Sequence, residues 1–295
     1  MKKILFLASV CIIGMHMKAQ STENLRTEIH RIITAKHVTA GISIKNIEDK
    51  DTLTINGKML MPMMSVFKFH IALAVLDQVD QGKLKLHQKI FIKKEDLLPD
   101  TWSPMRDDFP EGNTDITLDR LLRYTVSHSD NNGCDILLRM MGTENVQKFI
   151  RKQGIKDITI RLNEEQMGET WDNLYVNVTT PEATSLLLEK FYKGKILKKN
   201  TTDYLYRIMA ETSRGLTWMK AGLPSGTQLA HRTGISGTND DGLRAGMNDV
   251  GIFKLPNGKP IILSVYLKNI TEERSETEKI IADIAKAVYD NYNIN

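Results

Sequence analysis

The chain has 295 residues, 41% of them hydrophobic and 26% charged, an ordinary globular balance with enough apolar side chain for a sizeable core. Its formal charge of +4 comes largely from the first residues: without Lys2, Lys3 and Lys18 the basic count falls from 40 to 37 against 36 acids, an excess of +1. No dense Lys/Arg stripe with interleaved aromatics remains, which argues against a nucleic-acid or polyanion partner.

Met1-Lys2-Lys3, the apolar run Ile4 to Met15 and the exit Lys18-Ala19-Gln20 have the layout of a secretory signal. The run is well short of the roughly 20 residues a spanning helix needs. Residues 1–20 are therefore expected to be removed, leaving a periplasmic protein with no membrane attachment. Of two cysteines only Cys134 then survives, so no intramolecular disulfide is possible. The remaining histidines, His30, His37, His70, His87, His128 and His231, include no pair at helical metal-ligand spacing. Neither a metal nor any other cofactor is expected.

Leu25, Ile29, Ile32 and Ile33 mark a helix over 22–36. Ile42, Ile44, Leu53 and Ile55 alternate with polar residues around the turn Glu48-Asp49-Lys50-Asp51, which predicts an antiparallel hairpin with one wet face. Helical patterns follow: Phe67, Ile71, Val75 and Val79 form one stripe ending at Gly82, Leu118, Leu121, Leu122 and Thr125 another, then Ile136 to Met141 and Val146 to Ile150. Thr180-Pro181-Glu182 reads as a helix start with proline at its first position. Near the C-terminus, Val250 to Leu255, the turn Pro256-Asn257-Gly258 and Pro260 to Leu267 form a second strand pair, and Ile280, Ile281, Ile284 and Val288 a last helix.

The expected fold is α+β: an antiparallel sheet flanked by N- and C-terminal helices (21–60 and 212–295), an all-helical lobe (61–211), and a site in the cleft between them.

Four short constellations carry chemistry. Ser65-Val66-Phe67-Lys68 opens a helix, so a lysine amine three residues on lies beside a serine hydroxyl at a positive helix end. Ser129-Asp130-Asn131, in a link between helices, offers a proton for a leaving nitrogen and a carboxamide for a substrate amide. On an expected strand, His231-Arg232-Thr233-Gly234 puts a cation beside a hydroxyl, a carboxylate clamp, while Gly234 lets backbone approach a ligand. Asn163-Glu164-Glu165-Gln166-Met167 sits in a long aperiodic segment, a type that is often functional. Taken singly, each reads equally as an ordinary helix end, turn, edge charge or solvated surface.

Taken together, S-x-x-K, S-D-N and a K-T-G-like triad, in this order and separated by 64, 35 and 68 residues with Glu164 between the last two, resemble the penicillin-recognising serine hydrolases and, among them, class A β-lactamases. The resemblance covers nearly the whole mature chain. Leu98-Pro99-Asp100-Thr101-Trp102-Ser103-Pro104 and Ser129 to Leu138 are similar to the extended-spectrum branch of Bacteroidetes.

The resemblance implies that Ser65 attacks a β-lactam carbonyl, with Lys68 or a Glu164-held water taking its proton. The oxyanion hole falls to the N–H groups of Ser65 and Ile235, and Ser129 passes a proton to the departing nitrogen. Asn131 and Glu164 position substrate and water, Arg232 and Thr233 hold the ring carboxylate, and Trp102 walls the cleft. A monomer hydrolysing small β-lactams is implied. The alternatives are a D-alanyl-D-alanine peptidase and a β-lactam receptor that acylates without turnover. Three departures stand out: Arg232 replaces the commoner lysine, Leu162 and Asn177 replace an Arg/Asp clamp on the glutamate loop, and Asn248 falls where an arginine is usual, leaving Arg244 or Arg214 as substitutes.

Overall fold

The computed structural model describes residues 20–293; the expected export signal lies, but for its last residue, outside the described residues. Helix α1 (residues 20–33) leads into the hairpin β1 (Thr39–Asn46) and β2 (Asp51–Ile55). A short strand β3 (Met61–Pro62) precedes α2 (Phe67–Asp80), followed by β4 (Lys89–Ile92), α3 (Pro104–Asp108) and β5 (Thr114–Thr117). Next come α4 (Leu118–Ser127), α5 (Asn131–Met141), α6 (Thr143–Lys152), β6 (Ile158–Thr159), α7 (Glu164–Glu169) and β7 (Val178–Thr179). The chain closes with α8 (Pro181–Tyr192), α9 (Lys199–Ala210), α10 (Met219–Gly222), β8 (Leu229–Ile235), β9 (Arg244–Lys254), β10 (Pro260–Ile270) and α11 (Arg274–Asn293).

The main sheet is antiparallel in the order β2-β1-β10-β9-β8, so the two ends of the chain meet at its centre, with Ile42 opposite Val265. Along β10, Ile261, Leu263, Val265 and Leu267 enter a core shared with α1 and α11, whereas Ile262 and Tyr266 enter the core of the helical lobe. Period-2 alternation directs the two sets to opposite faces, and helices cover both. Each buried Ile or Leu stabilises the fold by about 1.5–3 kcal/mol.

The expected wet face of β1 is instead dry. Helix α8 lies on it: Ser43 is buried, and the Ser185 hydroxyl bonds that of Ser264 at 2.9 Å while donating to the Ser43 carbonyl at 3.4 Å. The alternation with polar residues predicts solvent on this face, but the Ser185 and Ser264 hydroxyls satisfy each other inside, while the Ser43 hydroxyl is buried without a hydrogen-bond partner among the described residues. The middle of the chain, expected to be all helical, also carries two small sheets, β3-β7-β6 and β4-β5.

Local signals place the helices around the cleft. The Thr117 hydroxyl caps α4 by accepting from Arg120 N, Thr180 caps α8 with Pro181 at its first turn, and the Asp130 carboxylate caps α5 from Gly133 N at 2.7 Å. Helix α2 departs from its expected stripe. Every residue from Phe67 to Leu76 is buried, because the helix runs through the middle of the lobe.

Candidate active site

Ser65 opens the helix through a 3-10 segment (Met64–Val66) that runs straight into α2, and Lys68 falls in the first α-helical turn. The turn is tight. Met64 adopts a left-handed φ of 47°, and Gly234 packs against it so closely that an added Cβ would sit 2.8 Å from Met63 O and 2.9 Å from Ser65 N. A side chain at 234 would therefore displace the serine backbone.

Lys68 is fully buried and held on four sides. Its Nζ donates to Ser65 Oγ at 3.1 Å, to Asn131 Oδ1 at 2.5 Å and to Ser129 O at 2.9 Å, and it lies 2.8 Å from Glu164 Oε1. The Ser65 hydroxyl donates to the same Glu164 oxygen at 3.3 Å. A hydroxyl, an amine and a carboxylate are thus within proton-transfer reach, as the chemistry of an activated nucleophile requires.

Ser129 is the second strained residue, with φ of 61°. This backbone turn sends its carbonyl to Lys68 and its hydroxyl to Arg232, whose Nη2 donates at 2.6 Å. Strain of about 1–3 kcal/mol at such a position persists only where surrounding bonds hold it. Asp130, between Ser129 and Asn131, is buried and accepts from Ser103 Oγ, Met105 N and Gly133 N, which ties α3 to α5; burial pushes its carboxyl up. The Asn131 amide donates to Thr101 Oγ1 at 2.8 Å.

Arg232 is placed differently from an open-wall clamp. On edge strand β8 it is fully buried, its Nε donating to Ser65 O at 3.0 Å and its Nη2 to Ser129, with Nη1 lacking a partner among the described residues. Burial pulls its guanidinium down to about 10, still charged at neutral pH. Thr233, Gly234 and Ile235 do line the cleft, a cavity of 320 Å³ that also takes in Ser65, Ser129 and Asn131. Trp102 forms its outer wall, its indole N–H donating to His128 O at 2.9 Å.

The loop carrying Glu164 forms α7, and Glu164 rather than Glu165 faces the serine; Glu165 is exposed and borders a separate cavity. Buried Asn177 and partly buried Asp135 hold the loop in place of the Arg/Asp clamp. Asn177 accepts from the N–H groups of Arg161 and Leu162 at 2.8 and 3.0 Å and donates back to Leu162 O. Asp135 accepts from the N–H groups of Glu164 and Glu165 at 2.7 and 2.9 Å. Burial pushes its carboxyl up to about 7, the nearby Glu164 adding to the shift and Lys68 opposing it. Asn248 braces β9 by donating to Pro62 O and Met63 O.

Arginines at the cleft rim resolve differently from one another. Arg214 and Arg274 line the cavity, while Arg244 binds the Ser236 carbonyl. Arg274 and Asp135 were not singled out from the sequence, since neither belongs to a short motif. Only an acid four residues after Asn131 on one helix face hinted at the latter.

An antiparallel sheet backed by terminal helices, a helical lobe, and a serine at a helix start between a buried lysine and a loop carboxylate define a serine acyl-transfer hydrolase. The Beta-lactamase enzyme family model matches residues 24–292, and the chain belongs to that family. It is 45% identical to Beta-lactamase VEB-1 of Pseudomonas aeruginosa, over 99% of this chain and 97% of the relative. It is 36% identical to the extended-spectrum β-lactamase PER-1 of the same organism, over 90% and 86% of the two chains. The crystal structure of the TLA-1 extended-spectrum β-lactamase superposes with a TM-score of 0.91 at 47% identity, covering 92% of this chain and 99% of that one. The protein is a class A β-lactamase that hydrolyses β-lactams and thereby supports antibiotic resistance.

Proposed function

We propose that Ser65 is the acyl-bearing nucleophile and Glu164 the base that releases the product. The observation that carries this reading is the Ser65 hydroxyl lying within hydrogen-bond reach of both Lys68 Nζ and Glu164 Oε1. Lys68, donating to Oγ, stabilises the alkoxide as it forms, while the hydroxyl proton moves toward Glu164. The lactam carbonyl oxygen takes the N–H groups of Ser65 and Ile235. As the C–N bond breaks, Ser129 gives its proton to the ring nitrogen, and Arg232 holds that hydroxyl in line. Asn131 receives the side-chain amide of the substrate and Trp102 walls it. The ring carboxylate meets Thr233 in the field of buried Arg232, with Arg214 and Arg274 at the rim. The proton on Glu164 returns by way of Lys68 to Ser129, restoring the carboxylate; Glu164 then takes a proton from the water that attacks the ester carbonyl and passes it to Ser65 Oγ as the acyl group leaves. The mature enzyme acts as a periplasmic monomer after loss of residues 1–20, with no nucleic-acid partner and no membrane attachment.

Intact mass during turnover of a chromogenic cephalosporin tests the two central roles. Ser65→Ala is expected to show neither turnover nor a covalent adduct. Glu164→Gln is expected to accumulate the one-to-one acyl-enzyme with turnover down by about 10²–10⁴-fold. An adduct on Ser65→Ala, or accumulation in Glu165→Gln instead, overturns the assignments.

A further inference from the structure

Arg214 and Trp102 meet over the mouth of the cleft. The Arg214 guanidinium lies 4.3 Å from the centre of the Trp102 ring, and the two residues come from segments more than a hundred positions apart. One residue at the end of α4 anchors the Trp102 ring and the segment that carries Arg214. His128 accepts the Trp102 indole N–H through its carbonyl, and its imidazole bonds Ser213 Oγ, beside Arg214, at 3.0 Å. The Ser213 N–H also donates to Ser127 O.

Arg214 makes no hydrogen bond or salt bridge to the described residues, so the indole face is its principal contact. It is half-buried, and burial together with the like charge of Arg274 pulls its guanidinium down. A partly desolvated cation gains more from a ring face than an exposed one does. Around this pair the rim mixes exposed apolar surface, Trp102 at 47% and Leu216 at 58%, with the charges of Arg214 and Arg274. The cleft volume of 320 Å³ is at the small end for a ligand pocket, and both partners of the stack line it.

We propose that Arg214 and Trp102 form a clasp over the cleft mouth that selects substrates by the bulk of the acyl group on the lactam ring. The inference rests on the cleft being the substrate site. A small acyl group passes beneath the intact stack, whereas a bulky one requires Arg214 and Trp102 to separate. The cost of parting them falls on the second class alone.

The test compares kcat/KM for two cephalosporins with one nucleus, one carrying a small acetamido group and the other a bulky branched aryl group. Both carry the same ring carboxylate, so loss of the Arg214 charge cancels in the ratio. Arg214→Ala and Trp102→Ala are each expected to raise the bulky-to-small ratio by about two- to fivefold. The double variant is expected to raise it no further, since either change opens the same clasp. Trp102→Phe keeps a ring face and is expected to keep a near-native ratio. An unchanged or lowered ratio, or effects that multiply in the double variant, overturns the clasp. A native enzyme inactive on both substrates overturns the cleft assignment itself.

Discussion

Arg232 holds two groups with one planar fork: Nε on the Ser65 carbonyl and Nη2 on the Ser129 hydroxyl. An ammonium on a flexible stem is a point charge and cannot span both in that geometry. Arg232→Lys preserves the charge and loses one tether, so kcat/KM is expected to fall about tenfold, a transition-state loss of about 1–2 kcal/mol. Steady-state kinetics on a single cephalosporin measure this, and native kcat/KM in the variant would show that the fork is dispensable. The presence of Arg232 beside Thr233 was legible in the sequence. Its burial behind Ser129 was not, because a strand position does not reveal which neighbour covers its side chain.

Besides the Lys68–Glu164 ion pair, helix α7 is held to the helical lobe by acceptors of its backbone N–H groups. Asp135 takes the N–H groups of Glu164 and Glu165, the first turn of a six-residue helix that could not persist alone. Its ordinary value is 3.8 and burial raises it to about 7, so it is ionised above neutrality and gains a proton as pH falls through 7. The proton converts one acceptor oxygen into a donor facing a backbone N–H. Acyl-enzyme hydrolysis is therefore expected to slow as pH drops below about 7. Asp135→Asn offers one acceptor at every pH, so its deacylation at pH 8 is expected to be about threefold to tenfold slower, with a shallower acid limb. Single-turnover mass spectrometry across pH 5.5 to 8.5 reads both, and an unchanged acid limb in the variant removes Asp135 from the account. The sequence announced that this loop lacks the usual clamp. It did not announce Asp135 or Asn177 as replacements, since their partners are backbone groups of residues far along the chain.

At the scale of the whole molecule, α2 joins catalysis to stability, because the helix begun by Ser65 is also the middle of the larger core. His70, two residues after Lys68, is fully buried with both ring nitrogens lacking hydrogen-bond partners. Burial pulls it from 6.5 down to about 4, the nearby carbonyls of Val66 and Phe67 opposing this weakly. The folded state favours the neutral ring, so its contribution is fully present above about pH 6.5 and is lost as pH falls toward 4. The loss amounts to about 3 kcal/mol. Denaturant unfolding at pH 7 and pH 4.5 is expected to show this decrement in the native chain. In His70→Leu, which removes the titrating group at similar volume, the decrement is expected to be smaller by most of that amount. Equal acid sensitivity in the two proteins assigns the loss to carboxylates elsewhere.

The order and spacing of Ser65, Lys68, Ser129, Glu164 and the Arg232-Thr233-Gly234 triad determined the family and the fold class, because helical periodicity and turn chemistry are local and read directly from residues. The helix start at Thr180 and the paired terminal strands were legible for the same reason. Tertiary packing alone decided that the serine face of β1 is dry beneath α8, that α2 is buried on every side, and that Arg214 lies on Trp102. Each of these depends on contacts between segments far apart in the chain, and burial there changes what a polar side chain can do.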